Sequence, residues 1–164
     1  MNSGELTVDG ALPHLHARDV RMMYVSQAPL EKLQTYKRRM GWKMPWVSSA
    51  GSDFNFDLGY SRTEEQTREA IAPLLEAGPP QIAEQPYQNA NSSGTDITGY
   101  LTQGEGFSAF VLDDGTVYQT YSTGARGVEF LMGYYRILDR APQGRDEDDG
   151  PQLWIQRHDE YDQN

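Results

Sequence analysis

Cysteine is missing from all 164 residues. Its absence removes disulfides, thiolate nucleophiles and cysteine-ligated zinc or iron–sulfur centres from this chain together. Long apolar runs are missing as well: no stretch of roughly 18 apolar residues is present to span a bilayer. The opening residues Met1-Asn2-Ser3-Gly4-Glu5 lack the basic region and apolar stretch of a signal peptide. The expected location is therefore cytoplasmic. Cations are scarce, with 14 Lys and Arg against 24 Asp and Glu, a net charge of -10. Phosphate backbones and anionic bilayers are held by clustered cations, so neither nucleic acid nor a membrane is an expected partner.

What is present fits one domain of ordinary size with a core of its own. Hydrophobic residues make up 37% of the chain, with 10 Tyr and 3 Trp. The mean hydropathy of -0.72 still requires substantial loop or tail.

Residues 7–17 carry Val8, Ala11, Leu12 and Leu15 on one helical face, with Pro13 as an internal interruption. The unbroken apolar run Met22–Val25 inside residues 20–26 predicts a strand buried on both faces, of the kind found in parallel sheets. Residues 29–40 predict the clearest helix. Pro29 suits its first turn, Lys37, Arg38 and Arg39 suit its C-terminal dipole, and Gly41 suits a left-handed cap. A short return strand at residues 45–49 completes a βαβ unit. Residues 51–60 read as a loop. Thr63 and Gln66 form a capping box that opens a helix interrupted near Pro73 or kinked as far as residue 77. Gly78-Pro79-Pro80 stops that helix. Residues 81–106 read as a long loop or insertion without periodicity. Residues 107–112 and 116–121 flank Asp113-Asp114-Gly115 as a hairpin. Residues 127–138 predict a last helix with Val128, Leu131, Met132, Tyr135 and Leu138 on one face. From Asp139 onward the chain holds eight acidic and three basic residues, half of the net charge. Residues 143–150 read as a linker, and Leu153-Trp154-Ile155 as an anchor for the tail.

This order of elements resembles the thioredoxin layout. Val25-Ser26, the helix from Pro29, Met44-Pro45-Trp46-Val47-Ser48-Ser49, Leu58-Gly59-Tyr60 and the stretch from Phe107 to Tyr118 resemble peroxiredoxins in particular. Four further blocks are similar to the signatures of the thioredoxin-like "domain of unknown function 899" family: Lys37-Arg38-Arg39-Met40-Gly41-Trp42, Gly51-Ser52-Asp53-Phe54-Asn55-Phe56-Asp57, Tyr121-Ser122-Thr123 with Ala125-Arg126-Gly127, and Gly144-Arg145-Asp146-Glu147. The resemblance implies an α/β, three-layer thioredoxin-like sandwich over residues 1–142, with 81–106 as its loop or insertion and 143–164 as an acidic tail. That family is expected to contain dithiol–disulfide oxidoreductases. Its first strand and cysteine turn have no counterpart here, and no proline stands at Phe107, where thioredoxins place a cis-proline. The missing strand would leave an open sheet edge, which points to a homodimer or to a shortened product.

Among candidate site residues, Arg126 at the start of the last helix is suited to a carboxylate or phosphate. Asp53, Trp46 and Ser122 are the residues expected beside it, because loops at one end of an α/β sheet gather. No metal and no cofactor is expected. His14 and His16 with Asp19 would point roughly 200° apart on a helix. Asp53, Asn55 and Asp57 alternate as in calcium loops, but Leu58 stands where such a loop needs glycine. His158-Asp159-Glu160 reads as a solvated tail motif, and Tyr118, Tyr121, Tyr134 and Tyr135 as core. The expected function is that of a thioredoxin-like protein without thiol redox chemistry in this chain. The alternatives are a shortened dithiol–disulfide oxidoreductase or peroxidase-like enzyme, and a small-molecule enzyme using non-thiol groups near Arg126.

Overall fold

The computed structural model describes residues 5–76, 84–93, 95–148, 152, 154–157 and 159–161. The chain is mixed α/β. Its elements run α1 (Glu5–His16), β1 (Tyr24–Ser26), α2 (Leu30–Met40), β2 (Trp46–Ser48), α3 (Phe54–Asp57), α4 (Glu64–Glu76), α5 (Glu84–Ser93), α6 (Ile97–Leu101), β3 (Gly106–Asp113) and β4 (Thr116–Gly124). A 3-10 stretch (Ala125–Leu131) and α7 (Gly133–Leu138) follow. The chain divides into two compact units. The first holds the described residues of 1–55, 126–146 and 154–164, and the second those of 56–125 and 147–153.

The first unit is built on the expected βαβ crossover. β1 pairs parallel with β2, Tyr24 opposite Trp46 and Ser26 opposite Ser48. Helix α2 connects them and packs on β2. Pro29 precedes the helix with φ -55, and Gly41 closes it in the left-handed region at φ 69. A side chain is strained in that region, which is why glycine is the usual residue there. The Asp9 carboxylate of α1 accepts from the backbone N–H groups of Lys43 and Met44, both at 2.7 Å. Leu33, Met40, Trp42, Met44 and Tyr135 are buried. Trp42 and Trp46 pack 5.6 Å apart, and each meets Tyr36 edge-on.

The second unit holds α4, α5 and α6 and the hairpin. The capping box forms as expected: the Thr63 N–H donates to Gln66 Oε1 at 2.9 Å and the Gln66 N–H to Thr63 Oγ1 at 3.1 Å. Thr67 and Ile71 bury the same face of α4, and α4 and α5 both pack on α6. β3 and β4 pair antiparallel around Asp114-Gly115, with a bulge opposite Ala109 and Phe110.

Several expectations are corrected. The strand expected over residues 20–26 is only three residues long and half-buried, with Val20 and Met23 exposed. Its sheet has two strands among the described residues, too narrow to be covered on both faces. The stretch 81–106, expected as a long loop or insertion, carries α5, α6 and the start of β3 among its described residues. Asp96 caps α6 by accepting from the Gly99 N–H at 2.8 Å. α5 buries Ala90 with too few apolar residues to show a period. Residues 51–60 contain the single turn α3. The last helix is split at Met132, whose φ of -91 and ψ of 78 are not helical, just before the weak helix former Gly133. Its apolar stripe still turns inward at Val128 and Tyr135. Tyr118 and Tyr121, expected in the core, are about half exposed. α4 continues through Pro73 to Glu76; Gly78-Pro79-Pro80, His158 and Leu153 lie outside the described residues.

Candidate functional site

Short polar side chains collect where β1 and β2 end. Parallel strands leave their carboxyl ends on one side, and the loops that follow meet there. Trp46 Nε1 donates to Ser26 Oγ at 3.0 Å. Ser48 Oγ donates to the Ala28 carbonyl at 2.7 Å and accepts from the Ala50 N–H at 3.2 Å. The buried Ser49 donates through Oγ to Asn55 Oδ1 at 2.6 Å, while its N–H donates to the Ser26 carbonyl at 2.9 Å. Ser52 Oγ returns to the Ser49 carbonyl at 2.9 Å. The turn of residues 48–55 is thereby fixed by its own side chains. Asp53 stands exposed on that turn.

The serine hydroxyls of this cluster are taken up by hydrogen bonds within the turn. A serine nucleophile needs a base within hydrogen-bond reach. Here the hydroxyls of Ser48, Ser49 and Ser52 are bonded to backbone and amide groups. Among the described residues no three His, Asp or Glu side chains converge as a metal site would require. His14 and His16 are exposed at the end of α1.

A second polar centre in the same unit is organised by Arg145. Its guanidinium stacks 4.2 Å from the Tyr135 ring centroid. It donates to both carboxylate oxygens of Asp139 and to Glu129 Oε2 at 3.1 Å. Hydrogen bonding from Arg145 holds the Asp139 carboxyl below its ordinary range, and the same contact raises Arg145. Arg126 meets the other oxygen of Glu129 at 2.7 Å. Glu129 thus bridges two guanidinium groups.

The structure places the four expected site residues as follows. Trp46 opens β2 and reaches Ser26, at the carboxyl end of β1, through its indole N–H, and Asp53 stands on the turn after β2. Arg126 belongs to the same unit and is engaged by Glu129, so an anion would have to compete with that carboxylate. Ser122 belongs to the second unit, where its hydroxyl lies 3.0 Å from Tyr60 Oη. Tyr60 Oη also lies 2.8 Å from Ser108 Oγ and donates toward the Phe107 carbonyl at 3.1 Å.

Sequence reasoning passed over Arg145, Arg39 and Tyr60. Arg39 donates to Asp159 at 2.8 Å and Glu160 at 3.2 Å, and Arg157 donates to Tyr36 Oη at 3.1 Å and Glu160 at 2.6 Å. Asp159 and Glu160, expected to be solvated, are therefore ion-paired to α2 and its neighbours. Trp154 completes the attachment by meeting Tyr134 edge-on at 6.0 Å. The signal for Arg39 was its place at the last turn beside Gly41, although sequence alone gave no partner.

A family model described as "Bacterial protein of unknown function (DUF899)" matches residues 3–161. The chain matches none of the curated proteins and none of the solved structures with which it was compared.

Proposed function

The chain belongs to the DUF899 family of bacterial proteins of unknown function, and from that premise we propose that it is a thioredoxin-like binding module. In this reading residues 1–142 form the thioredoxin-like domain and 143–164 its acidic tail. No thiol chemistry runs through this chain, because it has no cysteine to carry it. Support for the layout comes from the order of elements: a helix, a parallel βαβ crossover, further helices, an antiparallel hairpin and a last helix.

The observation that carries the binding role is the polar cluster at the carboxyl ends of β1 and β2. Ser26, Ser49, Asn55 and Trp46 are positioned there by mutual hydrogen bonds, and none of these bonds joins a hydroxyl to a base. The ligand class is a small polar molecule, held by the Ser26 hydroxyl, which accepts from Trp46 and offers its own proton, and screened on one side by the Trp46 ring. Asp53 selects for a donor on that ligand. Arg126 contributes a cation only where an anionic group displaces it from Glu129.

The test has two arms. Insulin reduction with dithiothreitol and peroxide consumption are measured over a range of protein concentration. Neither rate is expected to rise above buffer, and a rate proportional to protein would overturn the reading. The second arm follows the Trp46 indole N–H by NMR while sugars, amino acids, inorganic phosphate and citrate are titrated. At least one is expected to move that resonance saturably, and Ser26→Ala is expected to weaken the response. A panel that leaves the resonance fixed while the protein stays folded would remove the proposed site.

A further inference from the structure

The described residues of 154–161 form a turn closed by its own hydrogen bonds. The Gln156 N–H donates to Tyr161 Oη at 3.0 Å, and the Glu160 N–H donates to the Arg157 carbonyl at 2.8 Å. This turn brings Arg157, Asp159 and Glu160 to α2. Tyr36 and Arg39 stand three positions apart there and share a face of the helix. Arg39 pairs with Asp159 and Glu160. Arg157 pairs with Glu160 and donates to Tyr36 Oη at 3.1 Å. The Arg39 guanidinium lies 6.0 Å from the Tyr36 ring centroid. The segment thus reaches this tyrosine at its hydroxyl and, through Arg39, at its ring. The Tyr36 ring in turn meets Trp46 edge-on at 6.2 Å, and the Trp46 indole donates to Ser26. A continuous run of contacts joins Glu160 to Ser26.

We infer that the C-terminal segment is a regulatory strap, seated on α2 or released from it, and that its seating fixes the Trp46 ring against Ser26 and so strengthens ligand binding there. The effect on a ligand rests on the binding function proposed above, whereas the coupling of strap to ring does not. Three observations carry the inference. The fastenings are separable from the fold: the side chains of Arg39, Asp159, Glu160 and Arg157 are 47%, 33%, 38% and 31% exposed. Exposed ion pairs contribute little each, so the segment can leave without unfolding the unit. The Trp46 ring is set by other rings, Tyr24 at 6.0 Å, Trp42 at 5.6 Å and Tyr36 at 6.2 Å. Such pairs prefer particular orientations, so a turn of Tyr36 passes to Trp46. The Trp46 backbone is held separately, opposite Tyr24 in the sheet and by Gln34, whose Nε2 donates to its carbonyl at 3.3 Å. Release of the strap therefore moves the ring and not the strand. Coupling between two places needs an element with two arrangements that both of them bias, and the strap is that element. The sign follows from preorganisation, since a ring already in place costs a ligand less to bind. By reciprocity a ligand at Ser26 favours the seated strap by the same factor.

The test starts from the full, unaltered chain without ligand. Sodium chloride is raised from about 0.05 to about 1 M, which shortens the reach of exposed charges to about 3 Å. Hydrogen exchange at residues 154–161 is expected to quicken, and the Trp46 indole resonance to move along the same salt curve. Arg157→Ala is expected to show at low salt the Trp46 position that the unaltered protein reaches at high salt. Tyr36→Phe keeps the ring and removes the hydroxyl that Arg157 holds, so its Trp46 resonance is expected to ignore salt. A strap that salt and Arg157→Ala both leave seated would overturn the inference. So would a strap released while Trp46 stays in place, or a Tyr36→Phe protein that follows salt as the unaltered one does. The ligand arm uses whichever sugar, amino acid, phosphate or citrate moves the Trp46 resonance. Its Kd is expected to rise about fivefold in Arg157→Ala, and its presence to slow exchange at residues 154–161. Equal affinity in the two proteins would overturn the regulatory role. A panel without a binder would remove the binding function and with it that role, while the ligand-free resonance would still decide the coupling of strap to ring.

Discussion

In the first unit the buried side chains are large and belong to helices and turns: Leu33, Met40, Trp42, Met44 and Tyr135. Its strands are only three residues each. The second unit has the opposite balance. Its strands run eight and nine residues, yet most of their large apolar side chains face solvent. A long hydrogen-bonded ladder and a core are thus separate things. The ladder satisfies backbone groups locally, whereas burial requires a second layer. The first unit obtains that layer from aromatic rings and from arginines that stack or bridge. Within its own unit and among the described residues, the hairpin has it at its base, under Tyr60.

The largest test of this contrast is a pair of truncations. Tyr135 is 1% exposed, carries Arg145 on its face and meets Tyr134 at 5.0 Å. Tyr135→Ala is expected to cost about 3–5 kcal/mol in urea denaturation. Leu112→Ala, at the open end of the hairpin, is expected to fall within about 0.5 kcal/mol. Similar losses from the two would break the contrast.

A smaller effect probes the covered base of the hairpin. Gly106→Ala places a methyl group against the Tyr60 ring. That ring cannot swing aside freely, because its hydroxyl is bonded to Ser108, Ser122 and two carbonyls. Overpacking of this kind costs about 1–3 kcal/mol. Tyr60→Phe combined with Gly106→Ala is expected to recover part of the loss, since the ring is then free to shift. A further step down, Thr63→Ala removes one half of the capping box of α4 and is expected to cost about 1 kcal/mol. Thermal denaturation reads both.

Much of this architecture is legible in the sequence, and what is legible shares one property: it is local. The helix of residues 29–40, its Gly41 cap, the Thr63–Gln66 box and the Asp114-Gly115 turn each depend on residues within a few positions. The family blocks were legible too, and the structure gives several of them a physical role. Gly41 caps α2 beside Arg39 and Trp42, and Gly144 with φ 62 precedes Arg145. What the sequence could not supply is pairing over distance. Arg39 finds Asp159 across 120 positions, and Tyr60 finds Ser122 across 62. Burial also depends on distant partners. Tyr118 and Tyr121 share a face of the hairpin through its bulge, but the layer that would bury them is not in their own sequence. The expected site was partly legible for the same reason. The place of Asp53 after β2 follows from the βαβ rule, and the engagement of Arg126 by Glu129, three positions on, is a local pair that was passed over.

The smallest expected effect concerns acid. The Glu160 carboxyl is held below its ordinary range, first by hydrogen bonding from Arg157 and then from Arg39. Asp139 is held down in the same way by Arg145. Unfolded Asp and Glu titrate near about 3.9 and 4.3. A carboxyl whose folded value is depressed gives its full stabilisation above the unfolded value. It loses that stabilisation as pH falls toward the folded one. The attachment of residues 154–161 to α2 is therefore intact at neutral pH and weakens from about pH 5 downward. Because these groups lie at the surface, salt screens them, and the change in global stability is slight. The local change is the better readout. Hydrogen exchange at residues 154–161 is expected to quicken between about pH 5 and pH 3 after correction for intrinsic rates. Exchange at Tyr135 is expected to change less, because burial of its ring does not titrate. Glu160→Gln is expected to reproduce the acid behaviour at neutral pH. A tail as well protected at pH 3 as at pH 7 would show that Trp154 against Tyr134, and not the arginines, is what holds it.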